Sequence, residues 1–503
     1  MQGDCAGRGE LTPSECDAVA AAVIAQFNSL PRNGKPAQGE WTVLAGITVV
    51  RGPPASPLIH VLSCCTGTKC LGRSRLQGCG SLLHDSHAEV IARRNMLLSV
   101  LKEFTKVVAE GPGASSSGIV LEWPLGEERP RIIAGTRLCL YVSQCPCGDA
   151  SIYDVSDDVQ QLLPSKRPRI QERLSASDDN GNDDRVDGKN SSSSTVSKSS
   201  ILQLTGARAV ELGPLSDACR LDAAPSPQQT TGLMRTKPGR GPPTHCMSCS
   251  DKILRWCCEG LEGAAAACLF HLPLACIIIG DQFNAAACHR AFTSRCISLG
   301  SAPAQVASTQ RLFPFSRYLI EKAAAAAAGD DVTAAADAAA AAAARAAPLS
   351  VHWRAGAGSA SEVSIANGIR HGTTLRSRIA VGDSGSSSNA LVSVCKRLML
   401  LHTSRAIKAA ATAGILPLSI RALWRLPPNA PPPPNWAAEI TWAQAKGGRE
   451  RLGWRDRVRS LSGGGWIGAP EGVDGFCLGT ALLSLPLDAA AAEKVSEQPL
   501  RSE

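Results

Sequence analysis

The hydrophobic pattern of the first 150 residues alternates between strand-like and helix-like segments. Three segments rich in β-branched residues predict buried strands: 40–52, 57–65 and 135–144. Between the last two, apolar residues follow helical spacing from Asp85 or Ser86, either of which would cap the helix, to about Phe104. A second helix is predicted to begin at Pro146-Cys147-Gly148, within CPCGDASIY. The order strand, strand, helix, strand, helix predicts a layered α/β domain.

Two low-complexity segments interrupt this pattern. Residues 156–200 are dominated by Ser, Asp, Asn and Lys, and we expect a disordered insertion because the segment cannot bury enough apolar surface. Residues 323–347 are nearly pure alanine, which is compatible with an exposed helix or a loop, and we assign them no function. A proline-rich connector, PPNAPPPPNW, precedes a last basic block with several tryptophans.

Composition and charge change this picture only slightly. Apolar residues make up 44% of the 503 positions, but alanine tracts supply much of that, and only 4% are aromatic. The net charge of +8 leans towards an anionic partner. The N-terminus lacks a secretory apolar stretch and no apolar run is long enough to span a bilayer. We therefore expect a cytoplasmic or nuclear protein, not secreted, whose 20 cysteines are mostly reduced. The basic segment PSKRPRI is either a nuclear localisation patch or a solvated run of charges.

The segments LLHDSHAEVIARRNML and QCPCG contain residue types that bind metals. A catalytic zinc needs three nitrogen or sulfur ligands and one open position. His87 and Glu89 form an H-x-E unit, and Cys147 follows a buried strand in Pro-Cys-Gly. The third ligand is open, because HCMSCSDK offers two cysteines. A structural zinc held by four thiolates is the alternative, with the ligands Cys145, Cys147, Cys246 and Cys249.

Three motifs, HAEVIARR, PCGDASI and MSCSDKILRW, resemble the zinc-deaminase motifs of the adenosine-to-inosine RNA deaminases. The segments GKPAQGEWTVLAG, TGTKCLG, GLMRTKPGRG and IANGIRHGTT are similar to the tRNA-specific branch, which acts on the adenosine 3′ of the anticodon. The resemblance implies a cytidine-deaminase-like α/β/α core. It covers about residues 34–476, so we predict a deaminase domain there, interrupted by both insertions, between an N-terminal segment 1–33 and a tail 477–503.

The resemblance also implies the roles of individual residues. His87, Cys147 and Cys249 match the zinc ligands and Glu89 matches the proton shuttle, whereas Cys145 and Cys246 depart from the family pattern. The implied reaction is the hydrolytic deamination of adenosine to inosine with release of ammonia, with alanine tRNA as the expected substrate. Deamination of cytosine or of adenosine in other RNAs is an alternative. An inactive RNA-binding protein is another, against which the complete motif argues.

Four residues match positions near the flipped nucleotide: Val43, Thr68, Lys69 and Arg240. Val43 is equally compatible with a place in the core, and Arg240 with an exposed turn. No segment corresponds to a separate double-stranded-RNA-binding module, so we expect the tRNA to be held by the deaminase domain and by the basic block after Trp442, with affinity that falls as salt rises. The sequence indicates no obligate protein partner.

The adjacent pair Arg93 and Arg94 would ordinarily face solvent. In the related deaminases the matching pair belongs to a cluster that holds buried inositol hexakisphosphate, and further positions match that cluster: Lys252, Arg255, Lys396, Lys446 and Trp466. Several cations cannot share an interior without an anion. Asp85 and Lys252 are expected to link this ligand electrostatically to the zinc ligands. The sequence departs from the family at the positions His84, Glu262, Trp442 and WIGAP.

Overall fold

Alternate residues of the central strands face opposite sides of one sheet, and both sides are covered. Leu138 and Val142 of the strand Arg137–Gln144 lie in one hydrophobic core. Cys139 and Tyr141 of the same strand lie in another. Successive side chains on a strand point to opposite faces, so a strand that is apolar throughout needs packing on both. The predicted layered α/β class, with a cytidine-deaminase-like arrangement, is confirmed.

The structure is a computed structural model. It describes residues 9–76, 78, 80–114, 118–153, 207–209, 230–237, 244–328, 345–357, 360–373, 391–428, 430–433, 435–446, 454, 457–458 and 466.

The described helices are α1 Pro13–Ser29, α2 Ala88–Glu110, α3 Cys249–Glu259, α4 Ala285–Cys288, α5 Arg295–Ser298, α6 Arg317–Ala328, α7 Lys396–Thr412, α8 Leu418–Leu423 and α9 Trp442–Lys446. The described strands are β1 Glu40–Trp41, β2 Leu44–Arg51, β3 Leu58–Thr66, β4 Thr68–Cys70, β5 Asp85–His87, β6 Leu121–Glu122, β7 Arg131–Ile132, β8 Arg137–Gln144, β9 Arg208–Ala209, β10 Arg235–Thr236, β11 Leu274–Asp281, β12 Gln305–Ser308, β13 Arg345–Ala346, β14 Leu349–Arg354, β15 Glu362–Ile365 and β16 Ile369–Arg370.

The largest sheet in the described part of the chain has eight strands in the order β12-β11-β8-β2-β3-β14-β15-β16. The strands β8, β11 and β12 run parallel, and every other neighbouring pair is antiparallel. Gly46 lies at the centre of β2, where its partners are Cys64 and Tyr141. A side chain at Gly46 would clash with Val23 of α1 and with the Ser63 carbonyl, so this glycine allows the helix to approach the sheet closely.

Helices cover the two faces of this sheet unequally. Helix α1 packs on one face through buried Val19, Val23 and Phe27. Its N-terminus is closed by a capping box, in which Thr12 and Glu15 exchange side-chain to backbone hydrogen bonds. Helices α2 and α7 pack together on the other face, in the core that also includes part of α3. The N-terminal segment 1–33 therefore contributes a helix to the fold.

The predicted start of the long helix was wrong by two or three residues. Asp85 and Ser86 belong to strand β5, which pairs with β4, and His87 is the residue that precedes α2. The Asp85 carboxylate does not cap the helix because two lysine side chains bind it. The helix also continues past Phe104 to Glu110, and Gly111, with a positive φ of 82°, caps its end.

The helix predicted to begin at Cys147 was also wrong. Between Cys147 and Tyr153, where the described stretch ends, the chain makes a short 3-10 turn, Asp149–Ser151. Gly148 has a φ of 112°, and a side chain there would clash with Ser248 and Ser250. The close approach of this loop to residues 248–250 explains why Pro-Cys-Gly marks a tight crossing and not a helix start.

Several predicted features lie wholly or partly outside the described residues. Residues 156–200, Arg240 and the tail 477–503 are outside them. The alanine-rich segment 323–347 is described at its two ends, where α6 extends to Ala328 and β13 begins at Arg345. None of the described helices is long and apolar enough to cross a membrane.

Candidate active site

Three donor atoms from separate parts of the chain meet beside the start of α2. His87 precedes α2, Cys147 follows β8, and Cys249 is the first residue of α3. The His87 Nδ1 atom lies 3.9 Å from Cys147 Sγ and 3.5 Å from Cys249 Sγ. The three ligand atoms all lie within 4.8 Å of one another, and in the described residues this is the group whose geometry could hold a metal ion.

The spacing of these donors fits tetrahedral zinc. Zn–S and Zn–N bonds in a tetrahedral site place the ligand atoms roughly 3.6–3.8 Å apart. The Cys249 thiol, assisted by His87 and Lys237, holds the pKa of Cys147 well below its usual range although burial opposes this. The Cys249 backbone N–H also points to Cys147 Sγ at 3.4 Å. The donor set therefore favours a thiolate, the form that binds metal.

Two buried groups fix the first turn of α3, where Cys249 lies. Ser248 caps the helix by accepting a hydrogen bond from the Asp251 backbone N–H at 3.2 Å. The Asp251 carboxylate also accepts from Arg295 Nη1 at 2.9 Å and from the Arg235 backbone N–H at 2.8 Å. Because all these groups are buried, the position of Cys249 is set by a network that involves three segments of the chain.

Glu89 is buried beside this group and is not one of its donors. The side chain lies in the first turn of α2, and its Oε2 has no hydrogen-bond partner among the described residues. Burial raises the pKa of the Glu89 carboxyl, while His87 and Lys237 act in the opposite direction. A carboxyl with an unused oxygen and a raised pKa can accept and return a proton near neutral pH.

Asp85 connects the metal group to the interior behind it. The Lys237 ammonium donates to both Asp85 oxygens at 2.8 and 2.7 Å, and the Lys252 ammonium donates to Oδ2. The His87 backbone N–H donates to Oδ1 at 3.1 Å. Burial disfavours the charged Asp85, but Lys237 and Lys252 outweigh it and hold the pKa of Asp85 well below its usual range.

Lys237 is the functional residue that sequence reasoning missed. It is fully buried, and the charges of Asp85, Cys249 and Cys147 together raise its pKa despite that burial. The residue was present in the quoted segment GLMRTKPGRG. The available signal was a lysine inside a family motif, but nothing local distinguishes a buried lysine from an exposed one.

A cavity of about 270 Å³ opens on the other side of Lys252, between α2, α3 and α7. All seven residues predicted for the inositol phosphate line it: Arg93, Arg94, Lys252, Arg255, Lys396, Lys446 and Trp466. Two carboxylates, Glu259 and Glu262, line it as well, so cations outnumber acids by six to two. Burial first, and then the charge of Arg94, lowers the pKa of Arg93 to about 10.

Three tryptophan rings and two glycines also line this cavity: Trp256, Trp442, Trp466, Gly260 and Gly263. Arg93 lies over the Trp256 ring at 5.4 Å, and Lys446 lies over the Trp442 ring at 4.8 Å. Arg255 lies 5.4 Å from the Trp466 ring and donates to Glu259 at 2.6 Å. Three of the cations thus lie against tryptophan rings, which attract a cation but carry no negative charge.

Comparison with known proteins agrees with this geometry. The family model of the adenosine-deaminase (editase) domain matches residues 63–413. The chain belongs to that family. It is 33% identical over 257 residues to tRNA-specific adenosine deaminase 1 of Drosophila melanogaster, which covers 51% of this chain and 52% of the fly protein. It is 30% identical over 356 residues to the Mus musculus protein of that name, covering 56% of this chain and 68% of the relative.

A second branch of the family is more distant. The double-stranded RNA-specific editase Adar of Drosophila melanogaster is 25% identical over 289 residues, covering 57% of this chain and 36% of that protein. This chain therefore contains an adenosine-deaminase (editase) domain. It spans only about half the length of the fly tRNA-specific relative.

The residues predicted to contact RNA lie beside the deaminase site where they are described. Thr68 and His87 are paired across β4 and β5, and buried Thr68 Oγ1 has no hydrogen-bond partner in the described part of the chain. Lys69 donates to the Ala346 carbonyl at 3.3 Å. Half-buried Val43 packs against the core and its carbonyl accepts from Gly67, so both interpretations of Val43 stay open.

The departures from the family pattern have partners of their own. Cys145 Sγ lies 3.2 Å from the Ala150 carbonyl and 3.9 Å from Cys288 Sγ. The Cys246 thiol interacts with Cys70. Glu262 accepts from the Leu272 backbone N–H at 2.9 Å. The four-cysteine alternative is not the arrangement found among the described residues, where the metal-type group is His87, Cys147 and Cys249.

Proposed function

We propose that this deaminase is a zinc-dependent tRNA enzyme that converts the adenosine next to the anticodon, in alanine tRNA, to inosine with release of ammonia. The observation that carries the proposal is one buried carboxyl, Glu89, beside a His-Cys-Cys group whose donor atoms lie within 4.8 Å of one another. The relatives named tRNA-specific adenosine deaminase 1 support the choice of tRNA. We propose that the deaminase domain extends over residues 34–476, with helix α1 of the preceding segment packed on its sheet.

Zinc held by His87, Cys147 and Cys249 would lower the pKa of a bound water, which supplies a nucleophile near neutral pH. Glu89 takes a proton from the attacking water and passes it to a ring nitrogen of adenine. It then takes the proton of the hydroxyl added at C6 and delivers it to the departing amine. Adenosine and water are consumed, and inosine and ammonia are formed. The raised pKa of Glu89 suits a group that must both accept and release protons.

The substrate must present its base outside a stack. An unpaired loop next to an anticodon does so at less cost than a duplex. Thr68 and Lys69 lie on β4 against β5, so we place the sugar and phosphate of the target nucleotide along this edge. Val43 and Arg240 are proposed to contact the target or its neighbour.

The test is inosine formation across purified tRNA transcripts by zinc-loaded protein. Alanine tRNA should be converted at the position 3′ of the anticodon, and a transcript with guanosine at that position is the matched control. Zinc-loaded protein that forms no inosine in any tRNA would contradict the proposal. Conversion of cytidine, or of adenosine in a duplex, would favour the alternatives.

We also propose that the cavity behind Asp85 binds inositol hexakisphosphate. Six cations and two carboxylates line it, and the pKa of Arg93 is lowered first by burial and then by the charge of Arg94. A buried polyanion would reverse that effect and allow the cations to stay ionised. Lys252 would then contact both the ligand and Asp85, which is the proposed relay to the metal group.

Phosphate analysis of the denatured protein tests this second proposal. We expect release of an inositol polyphosphate in near-stoichiometric amount. The variant Lys396→Met, in the cavity wall, should retain less of it, whereas Lys408→Met, an exposed position on the same helix, should retain as much as the parent protein. Fully active protein that contains no inositol phosphate would refute it.

A further inference from the structure

Two thiols outside the metal group lie against each other at the far end of α3. Cys258, in the last turn of this helix, has its Sγ 3.5 Å from Sγ of Cys296 in α5. Both are free thiols, since a disulfide bond is roughly 2.05 Å long. Cys258 is half-buried and reaches solvent, while Cys296 is buried. Cys258 is nine residues from the ligand Cys249, which is about 13 Å along a helix.

The surroundings of Cys258 favour its thiolate. Arg457 donates to the Leu299 carbonyl at 2.9 Å and to Ser301 Oγ at 2.8 Å, which places a cation beside the thiol pair. The Cys296 thiol, and after it Ser301 and Arg457, hold the pKa of Cys258 below its ordinary value although burial opposes this. The thiolate is the form that reacts with oxidants.

The neighbouring Cys257 provides an internal contrast. It lies on the same helix turn and is also half-buried. Burial, and then the Cys258 charge, raises the pKa of Cys257 to about 12. Cys257 and Cys258 are therefore both half-buried, but their pKa values are shifted in opposite directions. Cys258 differs in having the Cys296 thiol and Arg457 beside it.

We propose that Cys258 and Cys296 form a redox modification site that peroxide oxidises to a disulfide. The Cys258 thiolate attacks one peroxide oxygen, the O–O bond breaks, and a sulfenic acid and water result. Cys296 then attacks the Cys258 sulfur, the S–O bond breaks, and the second water leaves. Two thiols lose two electrons, which reduce one peroxide to two waters.

The bond would add a covalent link where α3 and α5 already interact. At the other end of α3, the ion pair of Asp251 with Arg295 joins the same two helices at 2.9 Å. Helix α3 begins at Cys249 and contributes Lys252 and Arg255 to the cavity. Oxidation would therefore constrain a helix that both sites share, without consuming a metal ligand.

The experiment exposes zinc-loaded protein to hydrogen peroxide, blocks the remaining thiols by alkylation, and maps peptides with and without reduction. We expect a reducible link between the peptides of Cys258 and Cys296, with Cys257 alkylated. The variant Cys296→Ser should leave Cys258 without a resolving thiol, so that it gains two oxygens as a sulfinic acid. The matched control Cys257→Ser should form the link as the parent protein does.

The parent protein alone is sufficient to refute the proposal. A Cys258 that stays alkylatable while the metal ligands become oxidised would overturn it, and so would a link that joins Cys258 to a different cysteine. Peptide mapping reports the metal ligands separately, so loss of zinc cannot be mistaken for the proposed reaction.

Discussion

The metal group and the cavity behind it both bury charge next to α2, but they balance that charge differently. Beside the metal group, the Asp85 carboxylate lies between two ammonium groups that bind it, those of Lys237 and Lys252. In the cavity, six cations face two acids. Both acids are already engaged, Glu259 by Arg255 and Glu262 by the Leu272 backbone. The two regions share Lys252, which lines the cavity and binds Asp85.

The pKa shifts show what this difference means. The lysines lower the pKa of Asp85 and so stabilise its charged form against burial. In the cavity, burial and neighbouring cations lower the pKa of Arg93 to about 10 and so destabilise its charged form. Since a shift is a free-energy difference between charge states, the fold stabilises the charge of Asp85 but destabilises that of Arg93, and the proposed polyanion would reverse the second effect.

Removal of a metal ligand should have the largest effect. We expect Cys249→Ser to lose bound zinc and to reduce deamination to background, because the remaining two donors cannot hold the ion. Cys246→Ser, three residues earlier, is the matched control and should retain zinc and activity, since its thiol interacts with Cys70. Zinc content by elemental analysis and inosine formation are the measurements. Equal loss in both variants would favour the four-cysteine site.

Removal of the proton shuttle should come next. We expect Glu89→Gln to lower kcat by roughly 10²–10⁴, the usual contribution of a general acid–base group. The substitution keeps the shape of the side chain, so zinc content should not change. Single-turnover deamination measures the effect. A decrease smaller than tenfold would assign the proton transfers to another group.

One substitution should remove part of the charge compensation around Asp85. Lys237→Met leaves buried Asp85 with a single cation, and we expect the free energy of unfolding to fall by about 3 kcal/mol, the lower end for a broken buried pair because Lys252 remains. Urea denaturation of the zinc-loaded protein measures this. The double variant Asp85→Asn with Lys237→Met should recover part of the loss. An unchanged midpoint would show that the pair does not stabilise the fold.

A substitution in the cavity should change the free energy of unfolding least, and the sign of the change should depend on whether the polyphosphate is bound. In protein that contains the polyphosphate, Arg93→Met should lower the free energy of unfolding by about 2 kcal/mol, the scale of a hydrogen bond to a charged group. In protein stripped of the anion, the same substitution should stabilise the fold because it removes a charge that burial, and after it Arg94, disfavours. Thermal melts with and without added inositol hexakisphosphate compare the two. The same sign in both would contradict a buried anion.

The chemistry of the metal group could be predicted from short motifs, but its neighbours could not. His87 and Glu89 are two residues apart, so one H-x-E unit places a donor and a nearby carboxyl at the start of one helix. Cys249 could be chosen over Cys246 only through the family resemblance. Lys237 was not found at all, because its contact with Asp85 joins positions 152 residues apart.

The predictions of helices and strands were correct where the hydrophobic pattern was regular. They failed where tertiary contacts competed with local preferences. Strands β2 and β8 lie within the predicted segments, and β3 exceeds its segment by one residue, because apolar residues fill both faces. The start of α2 was misplaced because Asp85 binds lysines from distant segments instead of capping the helix. The turn after Cys147 replaced a predicted helix because it packs closely against residues 248–250.

By itself, the sequence determined the layered α/β class, because that class depends on local periodicity. It also offered His87, Glu89 and Cys147 as candidates in short motifs, whereas the choice of Cys249 depended on the family resemblance. Only the tertiary structure decided which charges are compensated. Arg93, Lys252 and Lys396 come from different helices into one cavity, and Asp85 meets two lysines from other segments. Coulomb interactions depend on distance in space, and distance along the chain does not specify it.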